Sequence, residues 1–446
     1  MMLVQKKFVL MIFMLVLLVM MSACHNDTKE TVQKDAETTN DQTEVPEMPD
    51  APITLSVMLP WDDEMFAEYI KDDVEEHFPN ITLELIDQTV DATGLEETFS
   101  KNMNPDIVLA HNGYEVLKEF DVAYPLDDLV EQNQYDLDRF REGLIDIARA
   151  RDPYGEDKLY GLPFEDLVPV LYYNKSIFDQ FGLDYPEDNM TWDEVIDLAR
   201  EVTGEKGGTT YRGLTFGSSW YYSFPLSQLS VNGTDPETGE VLFTQKEEFT
   251  RYLDLIDQIT SIPGNFEQGM ESTFVNQDVA MTMHHLTNIS SFVEAGIDFG
   301  MVSFPVWKDK PNSAPYKFIG QTLAISKHSE NKLAAFKVID YLTSVEKQTK
   351  NASVGRISPL KDLTVMNQFL SEAFPDHDFN IEGVLSVPPA EPPVYSKWGP
   401  DIQVNPNDFY SDIAVEFIES GDDPTTVLRR MEETYQTKVE EEMNKN

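Results

Sequence analysis

Apolar and polar positions along this chain change period several times, and each change marks an element. Ile53 to Leu59 alternates as a strand. Met65, Phe66, Tyr69, Ile70, Val74 and Phe78 then recur at helical spacing, and Pro79 ends that helix. Ile81 to Ile86 alternates as a second strand, and a further helical stretch leads to a third, Pro105 to Ala110. This βαβαβ order predicts a parallel sheet with right-handed crossovers. Asp128 to Ala150 reads as largely helical, and Tyr154 to Tyr160 as turn-rich.

The stretch from Leu159 to Thr203 organises the rest of the chain. Gly161 and Pro163 break any helix there, and Val168, Val170, Leu171, Tyr172 and Tyr173 suit a buried strand. Asn174 to Phe181 forms a short helix closed by Gly182. Thr191 is an N-cap with Glu194 three residues on, a capping box for a helix whose apolar face is Val195, Ile196, Leu198, Ala199 and Val202. Residues 204 to 214 are Gly-rich and read as a loop with a turn; Asn232 to Leu242 reads as a turn or hairpin. Phe249 to Ile262 is an amphipathic helix, Gly320 to Ser326 a strand opening on a small-residue turn, and Lys332 to Leu342 another helix. Val427, Leu428, Met431, Tyr435 and Val439 predict a last amphipathic helix over Pro424 to Met443.

At 446 residues the chain exceeds what one core usually holds, so two domains are expected, and 41% apolar content suffices for packed cores. A single cysteine allows no internal disulfide. Lys6 and Lys7 precede an apolar run of fourteen residues, Phe8 to Met21, then Ser22-Ala23-Cys24. That run is shorter than the roughly 20 residues a spanning helix needs and has the layout of a signal peptide. Residues 25 to 51 are polar and rich in Thr, Asp and Glu, a composition that predicts a disordered tether. The formal net charge of -47 argues against nucleic acid as a partner and against a strongly anionic ligand drawn in by long-range attraction. Surface solvation, as in an exported protein of a salty or alkaline habitat, accounts for the acidity without an acidic active site.

Ligands of open α/β sheets bind beyond the carboxyl ends of the strands. That rule points to Trp61 and Asp62 after the first strand and to His111, Asn112 and Gly113 after the third. Trp61 either meets a ligand or packs on the next helix. Gly217 to Pro225 is the densest aromatic cluster; aromatic faces stack on the apolar face of a pyranose, and Trp220 and Tyr221 are the candidates, with Tyr222 beside them. Glu165 and Asp166 invite a glycosidase reading, but neighbours on an extended segment point to opposite faces and make a poor acid–base pair. His284 and His285 are adjacent, yet with seven histidines in the chain no third ligand has convincing spacing for zinc. There is no G-x-S-x-G elbow, HExxH or Walker motif, so neither catalysis nor a cofactor is expected.

LYGLPFE, LYYNKSIFDQFGL and TWDEVIDLA, in this order, closely resemble the middle of the extracellular solute-binding proteins of ABC importers, the sugar-type family 1. Phe274 to Met283 resembles that family's F-x-x-G-x-A-A-M element, with Gln277 in place of the usual Gly and His284-His285 where a Gly and a stacking Trp often follow. Phe299 to Pro305 resembles its second crossing strand, and Gly355 to Pro359 its G-x-x-P turn. Ser22-Ala23-Cys24 resembles a bacterial lipobox, with Met21 where Leu is usual.

The resemblance implies an α/β, two-lobed, periplasmic-binding-protein-like fold of type II. Each lobe would be a mainly parallel sheet flanked by helices, with a hinge cleft between. Residues 1–23 would be a lipoprotein signal peptide, 24–51 the tether, 52–166 with 302–343 the N-lobe, and 167–301 with 344–446 the C-lobe. It also implies ligand contacts at Trp61, Asp62, His111 and Asn112, an acidic acceptor at Glu165, and an aromatic contact among Trp220 and Tyr221. Backbone at Gly320 and Gln321 would face the ligand, with further aromatics at Trp398 and Tyr410; His284 and His285 would bond ligand hydroxyls. Arg356 is either a cleft donor or half of a surface salt bridge. Cys24 would carry the lipid, anchoring a monomer to the outer face of the cell membrane. The implied function is capture of a neutral mono- or oligosaccharide and its delivery to ABC permease subunits. A surface glycosidase, or a sensor signalling to a membrane receptor, are the alternatives.

Overall fold

The computed structural model describes residues 45–111, 113–266, 274–315, 321–394 and 406–444. In chain order its strands are β1 (Ile53–Leu59), β2 (Ile81–Asp87), β3 (Ile107–Ala110), β4 (Leu162–Glu165), β5 (Pro169–Asn174), β6 (Gly204–Lys206), β7 (Thr209–Phe216), β8 (Val279–His285), β9 (Phe299–Ser303) and β10 (Gln321–Ile325). They form two five-stranded sheets, β2-β1-β3-β10-β4 and β6-β7-β8-β5-β9. β1 pairs in parallel with β2 and β3, as the βαβαβ order predicts. β7 and β8 are also parallel. The strands that carry the chain between sheets run against their neighbours: β10 lies antiparallel between β3 and β4, and β5 between β8 and β9.

The inner strands β3, β5 and β8 are buried on both faces and read as nearly continuous apolar runs, whereas β2 at an edge alternates buried and exposed positions. On β1, Leu55, Val57 and Leu59 enter one core with Phe336 and Ile339, while Met58 enters the other with Leu95 and Tyr114. On β5, Leu171 and Tyr173 pack with Trp192 and Phe249, and Val170 and Tyr172 with Phe292. The period of two along each strand divides its side chains between the two layers.

The helices obey the local signals. Helix Trp192–Val202 begins with the capping box: the Glu194 N–H donates to the Thr191 hydroxyl and the Thr191 N–H to the Glu194 carboxylate at 2.8 Å. Two expectations need correction. Residues 204–214 are no loop but the hairpin β6–β7, closed by Gly207 and Gly208 at φ of 64° and 86°. A turn with both central residues left-handed matches the twist of a two-residue hairpin, so a Gly-Gly pair there joins strands. The expected helix over Asp128 to Ala150 is two short helices, Asp127–Gln132 and Leu144–Ala150. Gln134 at φ 50° ends the first, and Gly143 at φ 82° precedes the second.

The chain passes between the sheets first at 166–168, only three residues from β4 to β5. The second passage falls after Trp307 rather than at 302, because β9 pairs with β5 as far as Ser303 and Phe304 and Trp307 remain in the second sheet's core. The third falls after helix Val345–Ser353 rather than at 344. Ala352 of that helix packs in the first core, and its Lys347 reaches Asp73 at 2.5 Å.

Candidate functional site

Each sheet turns one end toward the first passage. In the first sheet the ends of β1, β3 and β4 share an edge with the start of β10. Register sets Gln321 opposite Glu165 and Thr322 opposite Ala110, so Trp61, His111, Glu165 and Gln321 arise along one edge. In the second sheet the start of β5 lies beside the end of β8, with Pro169 opposite His285. Glu165 and Pro169 are separated by at most roughly 14 Å of extended chain, so the two edges flank one short connection.

On the first edge, Trp61 is buried and meets Tyr69 edge to face at 6.1 Å. The Arg356 guanidinium lies 4.8 Å from the Trp61 ring centre and 4.4 Å from that of Tyr69. Trp61 therefore packs on the following helix and against a guanidinium. Arg356 Nη1 donates to Glu165 Oε2 at 3.1 Å, so Arg356 belongs to a largely buried ion pair, not a surface one. Glu165 is 7% exposed, and burial raises its pKa above the usual carboxylate value against the pull of Arg356. Asp62 is exposed and caps the helix after β1, accepting from the Met65 N–H at 2.8 Å. His111 is half-buried, and burial lowers its pKa. Gln321 Oε1 is buried with no hydrogen-bond partner, an open acceptor that a hydroxyl would satisfy.

Asp166 is equally buried but pairs with Arg141, and its carboxylate accepts the Leu167 N–H at 2.7 Å. Neighbouring carboxylates thus serve different arginines. Each is desolvated and paired.

On the second edge, β7 ends at Phe216 and the chain turns through Gly217 into the 3-10 turn Ser219–Ser223. This turn sets Trp220 half-buried against His285, rings at 4.8 Å and nearly perpendicular. Tyr221 is buried between the two histidines, 5.1 Å from each ring. Successive residues of β8 point to opposite sides, so His284 goes toward Phe292 at 5.7 Å and His285 toward Phe224 at 5.9 Å. That divergence does not suit one shared metal. Among the described residues no group of three or more His, Cys, Asp or Glu is placed to hold a metal ion. Burial pulls the His284 pKa down to about 4, so its ring is neutral near pH 7.

Gly217 has a steric reason: a Cβ there would stand 2.0 Å from His284 Nε2. Gln277, where the family pattern has Gly, sits at φ 58°, the left-handed region that explains the usual Gly. Tyr410 is 2% exposed in the second sheet's core, where its carbonyl accepts from the Tyr252 hydroxyl at 3.1 Å. That is the position of a core residue. Asn112, Gly320, Trp398 and Cys24 lie outside the described residues. Sequence reasoning did not single out Tyr69, Arg141 or Gly217 for this region. Tyr69 was legible only as part of a helix face, and nothing around Arg141 marks it.

A family model described as Bacterial extracellular solute-binding protein matches residues 61–349. The sn-glycerol-3-phosphate-binding periplasmic protein UgpB of Escherichia coli O1:K1 / APEC is 27% identical over 256 residues, 52% of this chain and 56% of that protein. The chain thus spans about half the length of the curated relatives it matches. The sugar-binding protein MalE from the phytopathogen Xanthomonas citri aligns with a TM-score of 0.69 at 18% identity, covering 87% of this chain and 98% of that one. The ABC substrate-binding protein Lmo0181 from Listeria monocytogenes, in complex with cycloalternan, aligns with a TM-score of 0.66 at 18% identity, covering 86% and 98%. At these identities the likeness establishes the fold, two α/β lobes.

Proposed function

Because the chain belongs to the family of bacterial extracellular solute-binding proteins, we propose that it captures a neutral mono- or oligosaccharide between its lobes and delivers it to an ABC permease. The observation that carries the ligand class is the state of the charges. Glu165 and Asp166 are each held by an arginine, and His284 is neutral. Apart from Asp62, whose carboxylate caps its own helix, the groups turned to this region include the partnerless carbonyl of Gln321, the neutral imidazole of His284 and the half-buried Trp220. Hydroxyls and an apolar C–H face complement that set. Asp62, His111, Trp220, Tyr221, His284, His285 and Gln321, with Asn112, Gly320 and Trp398, are the proposed contacts, and Trp61 packs behind Arg356.

Binding across two lobes shifts an open–closed equilibrium about the passages, and the loaded form is the one a permease would recognise. No bond in the solute need change. Cys24, as the lipid-bearing residue, would anchor the chain outside the cell membrane, with the tether between anchor and lobes. Among the described residues no helix is long and apolar enough to cross a membrane.

A second ligand class is favoured by the relatives whose name is sn-glycerol-3-phosphate-binding. A phosphate would need a cation, and Arg356 would have to leave Glu165 to supply it. One screen separates the readings: thermal shift of residues 50 to 446 against neutral sugars and against glycerol phosphates and their diesters. A ligand that binds only the folded state raises the melting temperature by mass action. A rise with a neutral sugar recovered unchanged supports the proposal. A rise with the phosphates alone replaces the ligand class, and turnover of the sugar replaces transport with hydrolysis.

A further inference from the structure

Behind the passages lies a cavity of about 310 Å³ whose described wall residues include none of the described solute contacts. Its walls come from all three passages: Asp166 to Pro169 from the first, Phe304, Ala314 and Pro315 from the second, Lys361, Leu363 and Val384 to Pro389 from the third. Arg141, Glu142, Leu144 and Ile147 close it from the first lobe. Asp166 lines it, whereas Glu165, one residue earlier, turns to Arg356 and Trp61; the cavity therefore opens on the opposite side of the crossing from the solute edge.

Its chemistry is mostly apolar. Leu144, Ile147, Val168, Phe304, Leu385 and Val387 supply hydrocarbon. Among the described residues the charged groups on the wall, Arg141 and Lys361 against Glu142 and Asp166, balance in sign, and Arg141 is held to Asp166. The volume is at the lower end of small-ligand pockets, about 300–1,000 Å³.

We propose that this cavity is a second small-molecule site, taking a compact, uncharged, mainly apolar molecule. A bound molecule would touch segments of both lobes at once. A sugar's many hydroxyls find few partners on such walls, so the site does not depend on which solute the cleft binds.

Camphor, a rigid hydrocarbon cage with one carbonyl, is a suitable probe. Isothermal titration of camphor into the full folded chain, with no sugar present, is expected to give saturable one-to-one binding at millimolar affinity or tighter. Leu385→Trp, which places an indole in the cavity, should weaken binding at least tenfold. Val387→Phe, which narrows the cavity from another wall, should weaken it several-fold. Absence of binding up to the solubility of camphor overturns the proposal. So does undiminished binding to Leu385→Trp with native circular dichroism. If that variant does not fold, Val387→Phe decides: unchanged affinity there refutes the site. A neutral sugar that displaces camphor competitively would also refute it, by showing one site and not two.

Discussion

Arg356 and Glu165 make an arrangement whose strength depends on which member is removed. Burial raises the Glu165 pKa, and Arg356 only partly offsets it. A carboxylate whose folded pKa is raised binds its proton more tightly when folded. Its contribution is full below the unfolded value and is lost as pH rises through the raised one. Arg356→Ala should therefore destabilise by about 3–5 kcal/mol at pH 7, because a charge is left buried without a partner. The loss should shrink as pH falls and Glu165 takes up its proton, and Arg356→Ala/Glu165→Gln should recover much of it in urea melts. His284 has the opposite sign. Its folded pKa is lowered to about 4 from the ordinary 6.5, so the stability tied to its neutral form is present above 6.5 and lost as pH falls toward 4. The loss is up to about 3 kcal/mol, at about 1.4 per unit. The difference in unfolding free energy between wild type and His284→Asn should change across that window and be flat above pH 7.

The elements explain how much could be read in advance. Strands β1 to β3 and the capped helix Trp192–Val202 were legible, since their signals are local: period-two patterning and a Thr-x-x-Glu box. The hairpin β6–β7 was not, because glycines that permit a loop also permit the turn of a hairpin, and only pairing distinguishes them. The same limit held at the site. Which strand ends would meet followed from topology, but the pairing of Glu165 and Asp166 depended on Arg356 and Arg141, both distant in sequence. Gly217 illustrates a constraint visible only in packing. Gly217→Ala should place its Cβ on the His284 ring, which Tyr221 and Phe292 hem in. The expected cost is about 1–3 kcal/mol, typical of overpacking, with a parallel loss of solute affinity. Adding His284→Ala should restore the melting temperature but not the affinity, a contrast a simple folding defect would not give.

Across the molecule the dominant property is charge, -47 in formal terms, and many of the described ion pairs lie at the surface, where they offset little of it. Like charges at this density repel, and the repulsion acts through solvent over a Debye length of about 30 Å at 0.01 M salt but about 3 Å at 1 M. Raising sodium chloride across that range should therefore raise the melting temperature of the tetherless chain by several degrees. The same field fixes how salt acts on ligands. A neutral sugar carries no charge for the field to act upon, so its dissociation constant should change less than about twofold over the whole range. A glycerol phosphate would be repelled at low salt and should bind tighter as salt rises, until specific contacts with Arg356 are themselves screened. Titrating both classes at low and high salt thus tests the ligand class by a route independent of any single side chain. Flat affinity for the sugar agrees with a cleft whose charges are already paired; affinity that climbs with salt for a phosphate alone would mean that Arg356 releases Glu165 to receive an anion.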